Sequence, residues 1–118
     1  GLSPWESDET GAEFRWTGRW ASFPLQANGT EAMISIWSRH PDIEQRPVVV
    51  DFFWDAARKH TVELSGPEEV EVRIPVDVTL GTRGVLSLRV DRTWSTVIAE
   101  IPSETREFGV GISQVKWR

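Results

Sequence analysis

Hydrolysis and group transfer rest on a short list of side chains, and this chain offers few of them in a useful spacing. It has two histidines, His40 and His60, with no cysteine and no tyrosine. Asp51 and Asp55 come nearest to a carboxylate pair. On a strand, residues four apart share a face about 13 Å from one another, at roughly 3.3 Å per residue. That is wider than the gap between paired glycosidase carboxylates, so both read as solvated aspartates. His40-Pro41-Asp42 sets an imidazole and a carboxylate in one loop, too small a ligand set for a transition-metal site. No cofactor is expected. The loop carboxylates Asp42, Glu44 and Asp77 could serve a structural calcium, although none belongs to a dedicated calcium loop. Gly81-Thr82-Arg83-Gly84 reads as a hairpin turn and not a phosphate cradle, because no helix follows it. Nothing here assembles an active site, and the chain is read as a non-enzyme.

The tryptophans are the other residues with chemistry to offer, and there are seven of them. A ring of that size is either core or a contact surface. Trp54 shares parity with Val48, Val50 and Phe52, and Trp16 with Phe14, so both are assigned to the core. Trp20 opposes Ala21 and Phe23, and Trp37 opposes Ile34 and Ile36, so both are expected to point outward. With Phe53 they would form an aromatic patch on one sheet face, either a sugar platform or a surface covered by loops or a neighbouring domain. Flat rings stack against the C–H faces of pyranoses, while neighbouring polar groups bind the hydroxyls. Arg39, Asp51 and Arg19 are the polar companions expected for such a platform.

These side chains must be held by strands. In 69–76, Val70, Val72, Ile74 and Val76 alternate with Glu69, Glu71, Arg73 and Pro75, the period of a strand with one buried face. Residues 85–92 repeat the pattern through Leu86, Leu88 and Val90, and 31–38 through Ala32, Ile34 and Ile36. Stretch 47–55 is apolar on both faces and reads as a central strand or as one whose outer face is covered. Shorter strands are expected at 13–17, 19–25, 58–64 and 108–117. In the last of these the parity of Phe108, Val110 and Ile112 changes before Val115 and Trp117, which calls for a β-bulge near Ser113-Gln114. Turn residues separate the strands: Asn28-Gly29, Pro41-Asp42, Gly66-Pro67, Gly81 and Gly84. Asp55 to Lys59 is too short for a stable helix and is read as a hairpin turn. About eight strands with such turns between them give an all-β antiparallel sandwich of the jelly-roll, galactose-binding-like kind. Residues 1–12 are expected to be loosely ordered and 13–118 to form a single domain.

The chain has 118 residues and a net charge of −5. That charge argues against nucleic acid as a partner. The run Val48-Val49-Val50 stops at Asp51, so no membrane span is expected within this chain.

Two stretches carry a resemblance. One is Phe14-Arg15-Trp16-Thr17-Gly18, after Gly1, Trp5 and Glu6 and before Phe23 and Leu25. The other runs from Thr93-Trp94 through Glu104-Thr105-Arg106-Glu107-Phe108-Gly109-Val110-Gly111-Ile112 to Val115 and Trp117. Together they resemble accessory β-sandwich domains attached to bacterial multi-spanning membrane glycosyltransferases and related envelope-polysaccharide proteins. Trp94-Ser95-Thr96 departs from the aromatic-x-Pro step of that family, as does Glu104 as the acid before Arg106. The resemblance implies an extracytoplasmic domain, on the outer face of the cytoplasmic membrane or in the periplasm, within a larger membrane protein. It carries over no catalytic residue. The implied partners are a glycan or lipid-linked sugar and the parent membrane protein. The alternative to the platform is a loop-end site near Trp94 and Arg106 on the long 95–107 connection, where Arg106 otherwise binds loop carbonyls. The function expected is therefore that of a non-catalytic, carbohydrate-binding-like accessory domain. The alternative is a protein–protein docking module with no ligand of its own.

Overall fold

The computed structural model describes residues 2–7, 11–97 and 105–118, with 95–97 and 105–106 described by backbone alone. Its strands are β1 (Glu6–Ser7), β2 (Glu13–Trp16), β3 (Trp20–Gln26), β4 (Glu31–Trp37), β5 (Val48–Trp54) and β6 (Ala57–Leu64). They continue with β7 (Val70–Pro75), β8 (Arg83–Val90), β9 (Trp94–Val97), β10 (Thr105–Phe108), β11 (Gly111–Ser113) and β12 (Lys116–Trp117). All pairings among them are antiparallel. No helix among the described residues is long and apolar enough to cross a membrane.

The first sheet runs β1-β2-β11-β4, with β7 on the far edge of β4 and β12 following β11 along its near edge. The second runs β3-β8-β5-β6, and β9 pairs only with β10. Apart from the pairs β1–β2 and β5–β6 and the divided strand β11–β12, successive strands of the two sheets lie in opposite sheets. The apolar face of each sheet turns to the other: Ile34, Ile36, Val72, Ile74 and Ile112 join Phe23, Val50, Phe52, Leu86 and Leu88 in one buried cluster. Burying a side chain such as Phe52 stabilises the fold by roughly 1.5–3 kcal/mol before entropy is counted.

β11 and β12 are the two halves of one bulged strand. Ile112 pairs with Ile36, whereas Lys116 pairs with Met33. Three residues, 113–115, therefore face two on β4, which places the extra residue where the parity change required it. The short segments β1, β9 and β10, with this divided strand, raise the number of strands above the eight expected. β5 lies between β8 and β6, the internal place its two apolar faces called for. The hairpin after it turns through Asp55 and Ala56, both at positive φ (47° and 71°).

Three expectations are revised. Trp16 is only half-buried and lies outside the inter-sheet core, on the outer face of the first sheet. The 95–107 connection is not irregular at its ends, because Trp94 pairs with Phe108 and Val97 with Thr105. Within 1–12, Leu2 bridges Thr17, and Glu6 pairs with Phe14.

Trp54 is 3% exposed and acts as a core wedge. Its indole meets that of Trp117 edge-on at 6.1 Å, and it lies where a side chain at position 84 would stand, so glycine is required there. A Cβ on Gly84 would fall 2.3 Å from Trp54 Cζ2.

Candidate functional site

The register of the second sheet builds a short aromatic and polar face. Trp20 pairs with Arg89, Arg89 with Asp51 and Asp51 with Thr61, so these four form one row across the strands. Ser22, Ser87, Phe53 and Arg58 form the next. The inward residues of the same strands are the core, which leaves both rows facing outward. Ser87 is small and buried, and its hydroxyl lies 2.8 Å from that of Ser22. This low middle row lets the rings of Trp20 and Phe53 approach across an intervening strand. Their centroids are 5.4 Å apart and tilted by 45°. Trp20 is 46% exposed.

The polar groups beside the rings are fixed by one another. Arg89 Nη2 donates to Asp51 Oδ2 at 2.8 Å, and the Thr61 hydroxyl donates to Oδ1 at 2.6 Å. The Arg89 guanidinium also lies 5.6 Å from the Phe53 ring centroid. The hydrogen bonds from Thr61 and Arg89, helped by the charges of Arg89 and Arg58 and opposed by burial, hold the Asp51 pKa below the usual carboxylate value. A charged acceptor and a charged donor thus stand in set positions next to two rings, an arrangement suited to hydroxyl-bearing ligands with an apolar face.

Trp37 is not part of this face. It projects from β4 on the outer side of the first sheet, where it meets Phe14 (5.6 Å) and Trp16 (6.2 Å) edge-on. Trp16 in turn meets Trp94 and Phe108 at 5.8 and 5.3 Å. Trp94 and Phe108, at the base of the β9–β10 hairpin, are stacked at 4.6 Å. The hairpin thus adds to a second, smaller apolar cluster over Trp16, and Trp94 serves as its cover. Parity alone could place Trp20 and Trp37 outward, but not on opposite sheets.

Arg39 is exposed just past β4, and Arg19 is exposed just before β3. The backbone of Arg106 pairs with Thr96; its side chain, and with it the contacts expected of it, lies outside the described residues. Asp55 is tied to the neighbouring strand β8: its Oδ1 accepts from the amide of Val85 at 2.8 Å, and its own amide donates to the Val85 carbonyl. Asp42 Oδ1 is 2.6 Å from His40 Nδ1 and 3.0 Å from Arg92 Nη1. Burial opposes its charge, but the Arg92 hydrogen bond and the charges of Arg92, His40 and Arg46 lower its pKa overall. Among the described residues no group of three or more histidines and carboxylates could hold a metal ion.

Two residues and one concavity escaped the sequence. Arg89 alternates with the inward Leu88 and Val90, and Thr61 lies in the short strand expected at 58–64, but only the register joins them to Asp51. On the outer side of the first sheet, beside the bulge, a cleft of about 450 Å³ is lined by Glu13, Met33, Ser35, Glu71, Gln114 and Lys116 among others.

No family model matches the chain, and neither a curated protein nor a solved structure matches it.

Proposed function

We propose that this chain is a non-catalytic, carbohydrate-binding-like accessory domain whose ligand surface is the outer face of β3, β8 and β5. The observation that carries the reading is the juxtaposition of half-exposed Trp20 with Phe53, beside the Arg89–Asp51–Thr61 hydrogen-bonded row. The mechanism is stacking of pyranose C–H faces plus a few charge-assisted hydrogen bonds, which gives weak affinity at each site. The sandwich is of the jelly-roll kind: the strand order β2-β11/12-β4-β7 against β3-β8-β5-β6 supports this reading. The likeness of Phe14 to Gly18 and of the 93–117 stretch to envelope-polysaccharide proteins supports an extracytoplasmic position. A glycan or lipid-linked sugar would then be the ligand and a parent membrane protein the attachment.

Intrinsic fluorescence, titrated with bacterial envelope oligosaccharides and lipid-linked sugar head groups, tests the reading. A saturable shift is expected, lost in Trp20→Ala with the fold intact. A flat response to every glycan at millimolar concentration would end it.

A second reading, docking onto protein, draws on Val85. It is 39% exposed and is the partner of exposed Pro24 on the same sheet, extending the apolar area beyond what a single sugar needs. Under that reading Val85→Glu would release the domain from its parent protein, and glycans would give no response.

A further inference from the structure

Along one side of the sandwich the sheets are parted. There β2 and the β11–β12 strand of the first sheet face β3 of the second, and a cleft of about 130 Å³ lies between them. Phe23, Leu25, Ile112 and Val115 give it apolar walls, and Trp5 and Arg15 also line it. Arg15 is the cross-strand partner of Ile112, which is 1% exposed and part of the core. Cross-strand partners share a face, so Arg15 sits on the inward side of its sheet. The guanidinium carbon is 4.2 Å from the ring centroid of Trp5, which is 40% exposed. Its Nε is buried and has no hydrogen-bond partner among the described residues. Arg15 as a whole is half-buried, but an unmade donor at an atom that water cannot reach is costly, and native folds keep few of them.

We propose that this seam binds a three-carbon carboxylate, either free or carried as the acidic substituent of a larger molecule. The guanidinium selects the anion, since its planar fork matches a carboxylate in a two-point geometry that a neutral group does not reproduce. The apolar walls take the methyl or methylene carbons. Size sets the length: an apolar cavity of about 150 Å³ is filled by one benzene ring, and this cleft is 130 Å³. That leaves no room for a pyranose ring, which would stay outside with only its substituent inserted. Trp5 closes over the cation from the N-terminal segment and would report the binding. The seam is separate from the Trp20–Phe53 face and stands or falls independently of it.

The test is a titration of the whole chain with propionate and lactate, against 1-propanol and propylammonium as neutral and cationic counterparts. Tryptophan fluorescence and amide shifts at Trp5, Arg15, Phe23 and Ile112 are followed. Saturable binding of the carboxylates is expected, with 1-propanol weaker by about tenfold or more. Arg15→Lys should weaken propionate by a similar factor, because an ammonium offers a point charge in place of the fork. A methyl glycoside carrying a lactyl ether separates the two sources. Tighter binding than free lactate identifies the substituent, and weaker binding the free acid. The proposal is overturned if carboxylates fail to saturate the shifts by about 50 mM, if 1-propanol matches propionate, or if folded Arg15→Lys binds as the parent does. Should Arg15→Lys not fold, the comparison of propionate with 1-propanol on the parent chain decides alone.

Discussion

A Cβ on Gly111 would stand 2.3 Å from Cε2 of the Trp37 indole. The ring occupies the space that a side chain on β11 would take, and Phe14 and Trp16 close on it from the side. Gly111→Ala must therefore displace either the indole or the strand, and overpacking of this kind costs about 1–3 kcal/mol. The urea midpoint should fall with the slope unchanged. In a Trp37→Ala background the same substitution should cost clearly less, and a double-mutant cycle checks the coupling.

The turn between β5 and β6 uses Ala56 at a φ of 71°. The left-handed region costs an L-residue with a Cβ about 1–2 kcal/mol, and glycine avoids most of that. Ala56→Gly should stabilise the chain by about 0.5–1 kcal/mol, part of the gain being lost to the freer unfolded chain. Ala56→Val should destabilise it. Equilibrium unfolding of the three proteins is the measurement.

Asp51 brings a pH dependence whose sign follows from its partners. Hydrogen bonds from Thr61 and Arg89 lower its folded pKa below the ordinary value near 3.8. The stabilisation is therefore complete above the unfolded pKa and is lost as pH falls through the folded one. Between about pH 5 and pH 2 the parent should lose stability more steeply than Asp51→Asn. Asp42, lowered mainly through Arg92, acts in the same sense, so the variant should keep part of the slope. Urea midpoints measured across that range give the comparison.

Trp20 and Trp37 should part company when truncated. Trp20 is half-exposed on the second sheet, and its loss should cost stability little while abolishing any glycan response. Trp37 is wedged between Phe14, Trp16 and Gly111, so Trp37→Ala should cost about 3 kcal/mol or more, in the range of large aromatic deletions. It should leave the glycan response in place. Thermal unfolding and fluorescence titration of the two variants supply both readouts.

Much of the sandwich was legible because a period of two is a local signal. Val70 to Val76 and Leu86 to Val90 alternate cleanly, and the parity break before Val115 marked the bulge without any knowledge of its partner. What stayed hidden depends on which strands become neighbours. Nothing local assigns Trp20 to one sheet and Trp37 to the other, so an expected single platform became an outward pair, Trp20 with Phe53, and a separate packed cluster. Trp16 misled for a related reason: its parity is regular, but the face it covers is the outer one, under Trp94 and Phe108. Arg15 sits inward among apolar partners, a position that hydrophobic patterning would never give to a guanidinium.

The bulged strand also governs when the protein can fold during synthesis. β11 is inserted between β2 and β4, yet all the other described strands except β12 leave the ribosome before it. Until it emerges, β2 and β4 each expose a row of unmet amides and carbonyls toward the gap. The first sheet therefore cannot close in the order of translation, and a nascent chain stalled before residue 111 carries two open edges able to pair with a neighbouring chain.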